Sequence, residues 1–395
     1  MIKFSPPEHI KDLLNRLDRD GHAAFLVGGC VRDSVLRRPV HDWDVATSAA
    51  PVDVARLFKK TVLTGEKFGT VTVVLPGNTV EVTTFRAEGE YIDGRRPERV
   101  EFVTRLDDDL SRRDFTMNAM AVSIAGELID PFDGMGDIKK RVIRCVGGPN
   151  TRFKEDSLRM FRAFRFRAQL GFAIDPETMS AVCANADRAR LISAERIRDE
   201  LEKTLMTQKP GIAGEMVKVG LLEKYIIASG KCPVGIKEIA RLPQEPALRW
   251  CAFCAVLLDN HLLNSSSKFL HDLRLDRKTI KACSTAVSIP DFPGDHVGVK
   301  RLLAEYGQDA VRCAAAAYDT LRGGAVLART DGVINSGECY SLGGLAVSGS
   351  DLIECGHPPG HKIGETLKNL LYHVLEYPDD NEREALLKLA ARSDG

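Results

Sequence analysis

Over the first 150 residues apolar and polar positions alternate in short runs, and beyond them the repeat changes to a helical one. TVTVVL and TVEVTTF alternate with a period of two, the spacing of a half-buried strand. The Pro76-Gly77-Asn78 stretch between them predicts a hairpin-like turn. AFLV and WDVAT read as two earlier strands, VRDSVLRR as a helix between them, and AMAVSI and the segment around VIRCVG as further strands. From about residue 151, helical spacing dominates in EDSLRMFRAFRFRAQL, AERIRDELEKTLM, ALRWCAFCAVLL, TLKNLLYHVLEY and EREALLKLAAR. Strand signals nearly vanish there. The pattern predicts an α+β head followed by all-helical domains.

Two carboxylates, Asp42 and Asp44 in HDWDVAT, fall on the second strand so read. On a strand, residues i and i+2 share a face, so both would project from one edge of the sheet. Such a pair can hold Mg²⁺, a hard cation that prefers oxygen ligands. Upstream, Gly28 and Gly29 in LVGGCVRD open a helix, where free N–H groups and the positive dipole end suit a phosphate. Arg32, in the first turn, is disfavoured by that dipole unless an anion is near. Metal-holding carboxylates beside a phosphate cradle are the equipment of phosphoryl or nucleotidyl transfer. Alone, a D-x-D is usually a solvated strand end and a Gly-Gly usually a turn; their combination in this order carries the functional reading. In TVEVTTF, Val80 and Val82 point one way and Glu81 and Thr83 the other. With the valines in the core, Glu81 is either a third carboxylate in a cleft or an ordinary exposed strand residue.

Length and composition narrow the class. The 395 residues suggest about two to four domains, with 44% hydrophobic and 28% charged content typical of a soluble globular protein. No apolar run reaches the ~18 residues of a membrane span, and MIKFSPPEHIKDLL lacks a secretory apolar core. A cytoplasmic protein with reduced thiols is expected. Cys251 and Cys254 form a C-x-x-C in an apolar helical stretch with no second pair at zinc-ribbon spacing, which reads as buried structural cysteine. His271-Asp272 has no ordered set of further metal ligands and is set aside as a metal phosphohydrolase signal. The formal net charge is zero, which excludes a uniformly basic coat but not a local phosphate-binding cluster. Six basic residues, Arg152, Lys154, Arg159, Arg162, Arg165 and Arg167, crowd one predicted helix, with Leu158, Phe161 and Phe164 as its buried stripe. They form either a solvated face or a ligand site.

Seven segments then occur in order: LVGGCVRD…DWDVAT, GEKFGTVTVV, VEVTTFR, RRDFTMNAMA, DPFDGMGDIKKRVIRCVG, EDSLRMFRAFRF and AERIRDELEK. On these the chain resembles class II CCA-adding enzymes, the tRNA nucleotidyltransferases that rebuild the 3′ end of tRNA. The motifs lie densely over about residues 23–206, and the later stretch AVSGSDLIECGHPPGHKIGETL also looks like the family's C-terminal region. The resemblance implies a nucleotidyltransferase head (1–150), a helical neck that reads the base (151–210), a helical body (211–300) and a helical tail (301–395) that binds tRNA. It implies CTP and ATP as substrates, the acceptor arm of tRNA as partner, Mg²⁺ as cofactor, and no obligatory protein partner. Poly(A) polymerases share head and neck but carry an Arg-rich segment where this chain has GEKFGTVTVVL. Poly(A) addition, partial CC- or A-only addition, and an inactive RNA-binding protein on the same fold remain the alternatives.

By resemblance, Gly28, Gly29 and Arg32 match the triphosphate-binding turn, and Asp42 and Asp44 the metal ligands of two-metal nucleotidyl transfer. Arg113 reaches the nucleotide, with Asp114 and Asn118 shaping its turn; on its own, Asp114 also reads as the N-cap of the next segment. Asp156 and Arg159 are assigned to the incoming base, Arg162 and Arg165 to nucleotide or phosphate. No serine or cysteine near these motifs has an evident His partner, so direct metal-assisted displacement is expected rather than a covalent intermediate.

The loop over 86–109 is rich in charge and Gly, and in relatives it helps the pocket switch from C to A. Trimming Glu88 to Arg96 is expected to spare C addition and impair the terminal A. Equal loss of both, measured on tRNA ending at each step, would reject that role.

Overall fold

In a computed structural model, the structure describes residues 4–65, 69–88, 100–289 and 291–393. The trimmed stretch of the 86–109 loop and part of GEKFG therefore lie largely outside the described residues.

The period-two runs become strands β1 (Ala24–Val27), β2 (Asp44–Thr47), β3 (Thr61–Gly65), β4 (Thr70–Leu75) and β5 (Asn78–Thr84). Two short strands, β6 (Arg86–Glu88) and β7 (Val100–Phe102), pair with each other, and β8 (Ala121–Ser123) and β9 (Leu128–Ile129) extend the main sheet. Its order is β3-β4-β5-β2-β1-β8-β9. Within this sheet, among the described residues, β2 and β5 are the parallel neighbours, with Asp44 opposite Glu81. The predicted hairpin is present: Leu75 pairs with Asn78, leaving Pro76-Gly77 as the turn, where Gly77 takes a φ of 76° that suits glycine. Val71, Val73, Val80 and Val82 are buried, so Glu81 lies on the opposite face of β5 and is exposed.

Five helices are interspersed with these strands: α1 (Glu8–Arg19), α2 (Gly29–Val35), α3 (Pro51–Leu57), α4 (Leu106–Ser111) and α5 (Gly134–Lys140). A pair of two-residue strands, β10 (Val142–Ile143) and β11 (Ala173–Ile174), follows, and the remainder is helical as expected. Its helices are α6 (Pro149–Glu155), α7 (Leu158–Leu170), α8 (Pro176–Asn185), α9 (Ala194–Leu205), α10 (Ile212–Lys218), α11 (Pro246–Asp259) and α12 (Ser266–Asp272). They continue as α13 (Arg277–Ala286), α14 (His296–Tyr306), α15 (Gln308–Arg322), α16 (Val326–Asn335), α17 (Gly349–Glu354), α18 (His361–Glu376) and α19 (Arg383–Ser393). No helix among the described residues is long and apolar enough to cross a membrane.

The chain divides into two compact units. One comprises Met1–Thr204, Glu215–Lys224 and Ser229–Lys231; the other Leu205–Gly214, Tyr225–Ala228 and Cys232–Gly395. In the second, Trp250 and Phe253 meet edge to face with centroids 6.2 Å apart. Cys251 and Cys254 are buried and free, as the sequence predicts. Arg249, in the same apolar stretch, is also buried, with its guanidinium donating to the carbonyls of Leu205, Thr207, Leu242 and Pro243. A buried charge is held there by backbone carbonyl dipoles.

Two local expectations are corrected. WDVAT is not all strand: β1 ends at Val27, which pairs with Asp44, so β2 begins at Asp44 and Asp42 precedes it. Helical spacing across EDSLRMFRAFRFRAQL is likewise interrupted. Asp156 caps the C-terminus of α6 with an extended backbone, and α7 starts only at Leu158.

Candidate active site

Strand register places the first pieces. Val27 sits opposite Asp44, so the Gly28-Gly29 turn leaves the sheet beside that carboxylate. Gly28 has φ 74°, and a Cβ there would stand 3.0 Å from Arg113 Nη1 and 3.7 Å from Asp44 Oδ2. Glycine is required both by conformation and by this close approach. Cys30 Sγ donates to the Val27 carbonyl at 3.1 Å, fastening the first turn of α2 to the strand end.

Asp44 opens into a cleft of about 400 Å³ that is also lined by Gly28, Gly29, Arg32, Arg113, Asp156, Arg159, Arg162 and Arg165. Sequence reasoning had picked each of these from separate motifs. Asp42 and Glu81 do not line this cleft; both are exposed, yet they flank Asp44 closely enough to bear on its charge. Burial pushes the Asp44 carboxyl up, the Glu81 carboxylate adds to this, Arg113 opposes it, and Asp42 contributes a smaller push upward. Three hard oxygen donors that repel one another fit a divalent cation.

The arginines are ordered by carboxylates. Asp109 is fully buried and accepts from Arg112 at 2.6 Å and Arg113 at 3.1 Å. Burial pushes its carboxyl up, but the two guanidiniums outweigh this and hold it below the ordinary range. Arg165 pairs with Glu200 at 2.6 Å, and Arg159 with Glu155 at 2.5 Å while donating to the Arg112 carbonyl. Asp156, at the C-cap of α6, and Arg159, inside α7, do not share one helix. Asp156 Oδ1 accepts from the Leu158 N–H and its Oδ2 from Arg196 at 2.8 Å, fixing the break between α6 and α7.

One chain of contacts joins these parts. Arg32 Nη1 donates to Asn118 at 2.7 Å, Asn118 donates to Asp114 Oδ1 at 3.0 Å, and Asp114 Oδ2 meets Arg162 at 2.6 Å. Asp114 makes no helix N-cap, since the turn over Thr116–Asn118 has no side-chain cap. Arg32 also pairs with Asp33 at 2.8 Å, so the protein itself supplies an anion near the cation that the helix dipole disfavours. Phe166 completes the floor, with the guanidiniums of Arg165, Arg32 and Arg162 at 4.2, 5.0 and 5.4 Å from its ring centroid.

The basic run on the neck therefore divides. Arg159, Arg162 and Arg165 face the cleft, whereas Arg167 pairs with Glu215 at 2.9 Å and Lys154 is exposed. Arg112, Leu158, Phe166 and Arg196 also line the cleft and were not anticipated. Arg112 and Arg196 lie inside recognised motifs, RRDF and AERIRD, whereas an aromatic ring used as a guanidinium platform has no signature in sequence.

Burial pushes the Asp114 carboxyl up, but Arg162 and Asn118 overcome this and bring it down to about 2. Against ~3.9 in an unfolded chain, the group stabilises the fold above about pH 4 and loses that contribution as pH falls toward 2. The full contribution is about 2–3 kcal/mol, roughly half of it gone by pH ~3. Urea unfolding at pH 7 and pH 3 should show Asp114→Asn losing about 1 kcal/mol less than the unmodified chain. Equal losses would count against this pairing.

Known proteins share this sequence and fold. Residues 24–144 match the poly(A) polymerase head domain, residues 171–226 the "Probable RNA and SrmB-binding site of polymerase A", and residues 243–390 domain 2 of tRNA nucleotidyltransferases. A CCA-adding enzyme of Limosilactobacillus fermentum is 38% identical over 97% of this chain and 96% of its own length. One from Geobacillus stearothermophilus is 37% identical, again over 97% and 96%. The crystal structure of the Bacillus stearothermophilus CCA-adding enzyme in complex with CTP superposes with a TM-score of 0.79 at 32% identity, covering 99% of this chain and 98% of that one.

Proposed function

The chain belongs to the CCA-adding enzymes, and we propose that its cleft is where CTP and ATP are joined in turn, without a nucleic-acid template, to the 3′ end of tRNA. It is a tRNA nucleotidyltransferase of a family that uses divalent metal ions. The observation that supports the site is the register that sets Asp44 beside the Gly28-Gly29 turn and opposite Glu81, at the mouth of an arginine-lined cleft.

Asp44 and Asp42 would hold the metal, with Glu81 as a third oxygen donor beside them. The all-oxygen donor set fits Mg²⁺. When bound, the metal supplies Lewis-acid activation of the 3′-hydroxyl and charge neutralisation at the leaving pyrophosphate. The chain's own groups do the rest. Gly28 and Gly29 let phosphate oxygens approach the backbone closely. Arg32, Arg113, Arg162 and Arg165, each held on one side by protein partners, offer their remaining N–H groups to the triphosphate. Because these groups are fixed before substrate arrives, little reorganisation accompanies the reaction.

Asp156 and Arg159 are assigned to the base. Cytosine and adenine both present an exocyclic amino donor beside a ring-nitrogen acceptor, which a carboxylate and a guanidinium can match. Uracil and guanine present a carbonyl beside a ring N–H, setting oxygen against carboxylate and N–H against guanidinium. One protein pair can thus accept CTP and ATP and reject UTP and GTP. We assign residues 1–150 to the catalytic head, 151–210 to base reading, and the body (211–300) and tail (301–395) to holding the acceptor arm. Ten cysteines, all free, fit a reducing cytoplasm.

The test is incubation with tRNA lacking its terminal CCA, labelled CTP or ATP, and Mg²⁺, with products resolved to the nucleotide. CCA addition, a poly(A) ladder, a partial product and no product separate the competing readings. Asp42→Ala and Asp44→Ala should each abolish addition of both C and A with unchanged circular dichroism, and survival of A addition in either would refute a shared metal site. Asp156→Ala should weaken CTP and ATP use and relax exclusion of UTP or GTP in kcat/KM for the four triphosphates. Lost activity with unchanged discrimination would move base reading elsewhere.

A further inference from the structure

We propose that Cys251, Cys283 and Cys313 form a binding site for a thiophilic divalent cation of the zinc class, a site made of none of the cleft residues. The three come from three helices of the second unit, α11, α13 and α15. Their sulfur atoms all lie within 4.8 Å of one another, and all three residues are buried. Isolated buried cysteines serve as small apolar fillers, but three sulfurs converging on one point are a ligand set. The Cys283 and Cys313 thiols both direct their hydrogen at a single acceptor, the Ala247 carbonyl, at 3.8 and 3.7 Å.

The donor chemistry selects the cation. A set made only of sulfur disfavours Mg²⁺ and Ca²⁺ and suits soft or borderline metals. Tetrahedral Zn–S bonds of about 2.3 Å put ligand sulfurs a little under 4 Å apart, so a contraction of at most about an ångström closes the site. Charge selects the oxidation state. Three thiolates around a divalent ion leave one net negative charge in an apolar bundle, whereas a monovalent ion leaves two. Each thiol gives its proton to solvent on binding, and the metal is neither oxidised nor reduced. A cavity of about 310 Å³ lined by Cys251, Cys254 and Cys283 supplies an entry path. It also leaves the remaining position of a tetrahedral ion to a water entering from that cavity. Of the C-x-x-C seen in sequence only Cys251 belongs to the cluster; Cys283 and Cys313 complete it through the fold.

The test uses the full-length, reduced, metal-free chain. Co²⁺ serves as the optical probe, because thiolate ligands give a charge-transfer band that the carboxylates of the nucleotide site cannot. One equivalent should produce this band, and Zn²⁺ should abolish it. Cys283→Ser and Cys313→Ala should each weaken Zn²⁺ competition against a chromogenic chelator on the order of 100-fold or more, beyond the usual loss for an outer-shell partner. Replacing the exposed Cys183, Cys232 and Cys355 with Ser should change nothing. Alkylation mapped by peptide mass spectrometry provides a reading that needs no variant. Zn²⁺ should protect Cys251, Cys283 and Cys313 and leave Cys183 and Cys355 as reactive as before. No thiolate band with the unmodified chain, no protection of the trio, or a band carried by the exposed cysteines would overturn the proposal.

Discussion

A guanidinium keeps its charge at any pH a protein survives, so an arginine can enter a protein interior only where an acceptor is already waiting. The Asp114–Arg162 pair is where this constraint acts most widely. Asp114 is buried on the head and Arg162 sits on α7, so their 2.6 Å contact fixes the neck helix against the sheet. Through Asn118 the same carboxylate orients Arg32 on α2, and through Arg32 the turn at Gly28 and Gly29. The Gly28-Gly29 turn, RRDF segment and neck thus share one anchor. Asp114 is buried while about a third of the Arg162 side chain meets solvent, so removing one partner costs less than the ~3–5 kcal/mol typical of a fully buried pair, but the loss would spread to every group the anchor orients.

Acidic groups of the same cleft are driven in opposite directions. Asp109 and Asp114 are held low by arginines, so they are permanent counter-charges that build the walls. Asp44 is pushed up by burial and by Glu81, with Arg113 opposing and, among the described residues, no hydrogen-bonded guanidinium of its own to relieve it. Asp109 and Asp114 are neutralised from within, and the carboxylate beside the Gly28-Gly29 turn is not. This division separates scaffold from chemistry more sharply than burial does, since all three side chains are at least half-buried.

Fold class was legible because it rests on local rules, whereas most candidate site residues were named by family resemblance and the fold then brings them to one cleft. Alternation gave β4 and β5, the Pro-Gly turn gave their register, and the valines of β5 put Glu81 on the other face. What stayed hidden depends on where elements end and what they meet. Asp42 was placed on a strand because nothing local marks where β1 runs out of partners. The break at Asp156 looked helical because its neighbours keep helical spacing, while the bond that holds it comes from Arg196, forty residues further along the chain. Phe166 was not singled out in sequence; it is buried, yet its face carries three guanidiniums. The sulfur trio could not be read at all, since its members are assembled by three helices.

The parallel pairing of β2 with β5 carries a kinetic consequence. Parallel neighbours cannot be joined by a tight turn, so the chain leaves β2, runs through α3, β3 and β4, and returns before Asp44 meets Glu81. Contacts of this non-local kind form only after the intervening loop has closed. The acidic edge of the sheet is therefore a late product of folding, and it closes against the mutual repulsion of its carboxylates. Cations that screen this repulsion act on the assembly of the sheet itself, as well as on the finished enzyme.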